Sequence, residues 1–260
     1  MNRKISTFTI LFSLLSGPAF AQQKNLDKQT LKPAVSDYED SEFESYSNSE
    51  TVIYDPYENI NRKIYSFNDS FDRYFFEYVA RAYKGGVPKP VRNGIGNFVN
   101  NLNLPLSAIN SFAQGKVDNG LATLSNFLIN STVGLLGFFN VASEKGISYK
   151  SEDFGQTLGH YKTGTGAYLV IPFLGPSSTR DFSGWIVDKS INPVGLNVLE
   201  IGGNQDLIEG DVRFGIGMLS AVDTRANLLE IIDDVRKESF DPYATLRSAY
   251  LQKRIAETQN

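Results

Sequence analysis

From Asn93 to Gly115, and again from Asn119 to Ser143, the chain carries no charged side chain, yet Asn, Ser, Thr and Gln recur through both stretches. That combination excludes two common fates. A membrane-spanning helix would put Asn119, Thr123, Ser125, Asn126, Asn130, Ser131, Thr132 and Asn140 into hydrocarbon, where polar side chains are costly. An ordinary helix on a soluble core shows charges on its outer face, and these stretches have none. The second stretch is therefore expected to lie against lipid or in the wall of a ring.

Within it, Asn119, Thr123, Asn126 and Asn130 fall at spacings of four, three and four, so a helix gathers its uncharged polar groups into one stripe. Gly134 and Gly137 continue the stripe as a gap. Small residues there let another backbone approach closely, or form the bend of a helical hairpin.

Ahead of these stretches, Asp55, Pro56 and Glu58 carry the start signals of a helix, with Asp55 expected as its N-cap. Ile60, Ile64, Phe67, Phe71, Tyr74, Tyr78 and Ala82 then recur at spacings of three and four. The simplest reading packs this face on a core; its aromatic density, with Phe75 and Phe76, also suits contact with lipid chains. Gly85, Gly86, Pro88 and Pro90 end the helix.

After Asp153 a glycine-rich block (Gly155, Gly159, Gly164, Gly166, Gly175, Gly184) favours turns, with Pro172 and Pro176 stiffening the loop between Leu169 and Ser178. Two later helices read as soluble, one around Leu219 to Glu238 with Val222, Ala226, Leu229 and Ile232 inward, one starting at Asp241-Pro242-Tyr243. Asp241-Pro242 repeats Asp55-Pro56 through shared capping chemistry.

The two ends set the compartment. Arg3 and Lys4, the apolar run Ile5 to Leu15, the Gly17-Pro18 break and Ala19-Phe20-Ala21 form a secretory signal peptide over residues 1–21. Residues 22–51, rich in Ser, Glu, Asp, Gln and Tyr, read as a disordered acidic linker; its acidic run (Asp37, Glu39, Asp40, Glu42, Glu44) is alternatively a site for a basic partner. Residues 52–260 form one helical domain. Cleavage makes the net charge of −4 two units more negative, which argues against nucleic acid as a partner. The chain has no cysteine, hence neither a disulfide nor a thiolate metal site.

Catalytic patterns are missing. His160 is the single histidine, and Asp153 with Ser177 or Ser178 would have to complete a triad without a Gly-x-Ser-x-Gly elbow. Gly94-Ile-Gly96, Gly164-Thr-Gly166 and Gly215-Ile-Gly217 each lack the third glycine of a dinucleotide fingerprint, and no phosphate loop or calcium loop is present. The expectation is a non-enzyme with no cofactor and no metal, its work physical transfer.

The segments DPYENINRKIYSFND, from Asp55 to Asp69, and DFGQTLGHYKTGTGAYLVIPFLGPSSTRDFSGWIVD, from Asp153 to Asp188, resemble the MlaA family, also called VacJ, of outer-membrane proteins that move misplaced phospholipids. Matching positions also include Asn97, Asn101, Asn110, Gln114, Asn130, Gly134, Gly137, Asp241, Tyr243, Arg247 and Tyr250. The resemblance implies a mainly α fold: a flat, ring-like helical assembly in the periplasmic leaflet of the outer membrane, with an amphipathic channel and glycine- and proline-rich connections. It implies removal of phospholipid from the outer leaflet and its delivery to a soluble periplasmic lipid carrier, without ATP, beside a trimeric porin. Many members carry a lipidated cysteine after the signal peptide; here Ala21-Gln22 stands there, so the hold on the membrane is expected from the folded surface.

By the same resemblance Phe67 and Asn68 are expected to gate the channel, with plain helix packing as the alternative. Asn126 and Asn130 are channel candidates beside them, and Gly134 and Gly137 would permit a movable hairpin or simply close packing. Asp55, Pro56, Phe154, Gly155, Gly159, Gly175, Pro176, Arg180 and Asp181 are expected to serve structure. A non-catalytic scaffold or surface interaction protein, and a hydrolase centred on His160, are the competing readings.

Overall fold

In a computed structural model, which describes residues 53–191 and 210–259, the first helix turns the expected packing inside out. α1 (Glu58–Phe71) runs through a π-helical turn (Asp72–Phe76) into α2 (Glu77–Gly86). Ile60, Phe67, Tyr74 and Tyr78 are 58%, 50%, 84% and 68% exposed, whereas Asn61 is 2% exposed. The polar face is packed at Asn61, Asp69 and Asp72, which corrects the reading of a wholly core-facing apolar stripe; Ile64 of that stripe does pack on the Tyr168 core, and Phe76, read as suiting lipid, is buried. Arginines from later in the chain account for the inversion. Arg236 reaches Asp69, Asp72 and Glu77 at 2.8, 2.7 and 2.9 Å, and Arg225 meets Asp72 at 2.6 Å. With both arginines nearly buried, such multidentate pairing is what makes the charges tolerable there. The π turn coincides with Asp72, the carboxylate those two guanidiniums share.

The helix start also differs from expectation. α1 begins at Glu58 behind Tyr57, and Asp55 does not cap it: its carboxylate accepts from Asn61, Tyr243 and Arg247. The second Asp-Pro-Tyr does cap, since Asp241 Oδ1 accepts from the Ala244 backbone N–H at 3.2 Å.

α3 (Lys89–Ala113) and α4 (Val117–Thr132) form the principal helix pair, joined by a three-residue turn in which Gly115 takes φ +74°. On α4 the buried residues are Gly120, Thr123, Asn126 and Asn130, while Val117, Leu121, Leu124 and Leu128 are exposed. The polar stripe seen in the sequence is therefore the packed face, meeting α3 at Asn119 and Gly120 and the segment after α4 at Asn126 and Asn130. No helix among the described residues is long and apolar enough to cross a membrane.

Short α5 (Val141–Glu144) leads to α6 (Phe154–His160), then to an antiparallel hairpin of β1 (Tyr168–Ile171) and β2 (Gly175–Ser178). The hairpin replaces the expected loop; Pro176 is tolerated because a two-stranded sheet has only edges. α7 (Thr179–Ile191) crosses α6 closely: a Cβ on Gly184 would lie 2.4 Å from the Gly155 backbone nitrogen. The single expected helix near Leu219 to Glu238 is two, α8 (Gly210–Asn227) and α9 (Leu229–Glu238), with Ala226 and Leu229 buried against Ala80. α10 (Pro242–Gln259) returns to α6 and the hairpin, closing a small core of Tyr168, Val170 and Tyr243.

The fold is mainly α, as expected. The signal peptide of residues 1–21 and the linker of residues 22–51 lie outside the described residues.

Candidate functional site

α1 is fastened to the hairpin by two asparagines that imitate a strand. Asn61 donates to the Tyr168 carbonyl at 3.0 Å and accepts from the Val170 N–H at 2.9 Å. One heptad later Asn68 donates to the Ile171 carbonyl at 3.0 Å and accepts from the Phe173 N–H at 2.9 Å. Seven helical residues rise about 10.5 Å and three strand residues about 10 Å, so an i, i+7 pair on a helix matches an i, i+3 step along a strand. The side-chain amide presents one donor and one acceptor in one plane, as a neighbouring strand would.

The second clamp holds the hairpin tip in an uncommon shape. Phe173 has φ +64°, a region that bulky residues seldom occupy. Its ring sits edge-on to Phe67 at 5.3 Å and to Phe71 at 5.1 Å, and Phe71 in turn lies 5.5 Å from Phe75. Phe67 and Asn68 thus meet at one place, with the ring and the amide acting on the same residue. Phe173 was not singled out by the sequence; Pro172 and Gly175 mark a turn there but do not say which residue takes the left-handed position.

A second strained element closes the α3–α4 pair. After Thr132 the chain bends through Val133 to Phe139, with Leu135 at φ +51° and Leu136 at φ +59°, both about two-thirds exposed. Two consecutive leucines in this conformation need outside support. Asn97 and Asn101 of α3 supply it by donating to the Phe138 and Leu136 carbonyls, both at 3.3 Å. Gly137, at φ +95°, packs on the Asn101 side chain so tightly that a Cβ would lie 2.3 Å away, and a Cβ on Gly134 would lie 2.3 Å from the Phe139 carbonyl oxygen. Gly134 and Gly137 therefore build a tight turn.

Asn130 joins that turn through its backbone, its carbonyl accepting from the Gly137 N–H at 2.7 Å, while its side chain and that of Asn126 turn elsewhere. Asn126 donates to the Ala122 and Ile147 carbonyls, and Asn130 donates to Asn140 and accepts from the Ala142 N–H, so both tie α4 to the segment that follows. Both are buried, whereas the leucines on the opposite side of α4 are exposed.

The glycine-rich block forms the third region. Asp153 caps α6 by accepting from the Gln156 N–H at 2.7 Å, and Arg254 spans Asp153 and Asp181 at 2.8 and 2.9 Å. Burial works against the Asp181 charge, but hydrogen bonds and attraction from Arg254, with Arg180 and Tyr250, hold its carboxyl down at about 2. Asp55 is likewise held below the usual range despite burial, by Tyr243, Arg247 and Asn61. Gly155 leaves room for Arg254 and Asp181, and Gly159 for Thr258 and Arg180. The hydrolase constellation is not assembled: His160 is exposed and edge-on to Tyr161, Asp153 is held by Arg254, and Ser178 caps α7 by accepting from the Asp181 N–H. No cluster of metal-ligating side chains occurs among the described residues.

The chain as a whole is similar to known proteins. The family model described as MlaA lipoprotein matches residues 53–257. The intermembrane phospholipid transport system lipoprotein MlaA of Escherichia coli (strain K12) is 35% identical over 203 residues, covering 76% of each chain, and that of Haemophilus influenzae is 35% identical over 202 residues, also covering 76% of each. An uncharacterized protein of Rickettsia bellii is 35% identical over 229 residues, covering 86% of each chain. A solved structure presented as the structural basis for maintenance of bacterial outer membrane lipid asymmetry aligns with a TM-score of 0.67 at 33% identity, covering 78% of this chain and 98% of that one. With that match over residues 53–257 and these relatives, the chain belongs to the MlaA family.

Proposed function

We propose that this chain transports phospholipid between membranes, removing mislocalised phospholipid from the outer leaflet of the outer membrane and passing it to a soluble periplasmic carrier. The observation that carries the reading is the reversed polarity of α1 and α4, with amides and charges packed inside and Leu, Val, Phe and Tyr outside. An exposed apolar surface of this extent marks a partner or a membrane, and a bilayer provides its complement. Val117, Leu121, Leu124, Leu128, Val133, Leu135, Leu136 and Phe139 are all exposed along α4 and its turn. At about 1 kcal/mol for each half-exposed side chain, their transfer into acyl chains exceeds the about 5.5 kcal/mol of a single myristoyl anchor. The folded surface therefore supplies more hold on the membrane than one acyl chain.

In this reading the helices form a flat ring in the periplasmic leaflet around an amphipathic channel. An acyl chain needs an unbroken apolar path, because each exposed methylene costs about 0.8 kcal/mol. The Phe67–Asn68–Phe173 cluster and the Leu135–Leu136 turn are the two elements suited to gate it, each strained, each held by a few asparagine hydrogen bonds. The protein acts without catalysis, and a trimeric porin is its neighbour in the membrane. The reading is tested by outer-leaflet phospholipid content in cells lacking the protein, with and without a complementing copy. A rise reversed by complementation supports transport; an unchanged level at normal expression and localisation points to a scaffold.

A further inference from the structure

A buried polar chain runs from the surface to the interior where α3, α6 and α7 meet. Lys116 pairs with Glu152 at 2.8 Å; Gln114 donates both to Glu152 and to Thr157; Thr157 Oγ1 donates to Asn110 Oδ1 at 3.0 Å; Asn110 donates to Asp188 Oδ1 at 3.0 Å. Asp188 Oδ2 accepts from the Phe154 N–H at 2.9 Å, the first N–H of α6. Asp188 is 3% exposed and its sequence neighbour Lys189 is 5% exposed.

The chain has a direction and a means of reversing it. Thr157 Oγ1 has a second acceptor within reach, the Asp153 carbonyl at 3.2 Å. If Asp188 takes a proton on Oδ1, the Asn110 amide can turn over, accept that proton through its oxygen and donate to Thr157, whose hydroxyl then turns to Asp153. Every donor keeps an acceptor in both arrangements. Among the described residues the charges near Asp188 are these: α3 contributes none between Asn93 and Gly115, the Lys116–Glu152 pair closes the outer end of the polar chain, α6 brings the Asp153 carboxylate with Arg254 of α10 behind it, and α7 brings Lys189. We propose that Asp188, Asn110 and Thr157 form a proton-linked relay joining α6 and α7 to α3, whose two hydrogen-bond arrangements follow the protonation of Asp188.

Burial raises the Asp188 carboxyl to about 6 with the Asp153 charge adding to it, against an ordinary value of 3.8. A folded-state value above the unfolded one means that the folded chain holds the extra proton, so this group's contribution falls as pH rises through about 6. The test is the unfolding equilibrium of the full chain in detergent by denaturant titration between pH 5 and 7.5. The unfolding constant of the wild type should rise about tenfold more over that range than that of Asp188→Asn, which carries no titrating group. Thr157→Val, which removes the hydroxyl and keeps the shape, should move the midpoint of the Asp188-dependent step. Equal pH slopes in wild type and Asp188→Asn, or an unmoved midpoint in Thr157→Val, overturn the relay. Should Asp188→Asn not fold, the carboxyl carbon of Asp188 followed by NMR decides: titration near pH 6 that shifts in Thr157→Val supports the proposal, and titration near 4, or titration that Thr157→Val leaves unmoved, overturns it.

Discussion

Replacing Asn68 by Ala should loosen the hairpin tip without unfolding the protein. The substitution removes the hydrogen bond from the Phe173 N–H and one of those to the Ile171 carbonyl, which keeps the Leu174 N–H at 3.2 Å. Each lost bond is worth about 1 kcal/mol net, so the tip is weakened by about 2 kcal/mol and opens about 30-fold more often. Phe173 then has less reason to stay at φ +64°, and relaxing it withdraws its ring from Phe67 and Phe71. The core cluster around Tyr168 and Val170 keeps its own clamp, because Asn61 is untouched. Amide hydrogen exchange read by mass spectrometry measures this directly: peptides covering residues 171–175 should exchange faster in Asn68→Ala while those covering residues 168–170 do not. Unchanged exchange at the tip would show that the clamp contributes nothing. If the tip loosens and outer-leaflet phospholipid nevertheless stays at the wild-type level in cells, Asn68 is a packing residue and not part of a gate.

Other substitutions probe the remaining regions. Gly184→Ala places its Cβ 2.4 Å from the Gly155 backbone nitrogen, which no side-chain rotation relieves, so a loss of about 2–3 kcal/mol should appear as a lowered denaturation midpoint. Asp181 has a folded-state value depressed to about 2, so its stabilisation is present above 3.8 and is lost as pH falls through about 2. Asp181→Asn should accordingly cost about 2 kcal/mol at neutral pH and little below pH 2, checked by urea titration at both values. Leu135→Asp with Leu136→Asp leaves the α3–α4 packing intact, because both side chains are exposed, but should release the protein from membranes under carbonate or high-salt extraction to a measurable extent.

Much of this architecture was legible in the sequence, and the reasons for the gaps are physical. The stripe Asn119, Thr123, Asn126, Asn130 announced a helix with an unusual polar row, and spacing alone placed it on one face. Which face turns inward was harder to read on α1, because an apolar stripe normally seeks a core and only the later Arg225 and Arg236 make the charged face the buried one. Those arginines lie more than a hundred and fifty residues away, beyond any local pattern. The two Asp-Pro-Tyr segments teach the same lesson: identical local chemistry caps α10 through Asp241, yet Asp55 is drawn off by Tyr243 and Arg247. Glycines read as turn-formers proved partly to be contact points, Gly155 and Gly184 being helical residues where two backbones cross. Phe173, Leu135 and Leu136 were invisible because nothing in an apolar side chain signals a positive φ.

In the proposed function α4 presents its leucines to lipid and keeps its asparagines dry. Spin labels placed singly at Leu121, Leu124 and Leu128 in the membrane-bound protein test it. The account predicts that relaxation by oxygen, which concentrates among acyl chains, dominates at all three positions over relaxation by a water-soluble nickel chelate. Dominance of the nickel chelate at those positions would place this face in water and contradict the account.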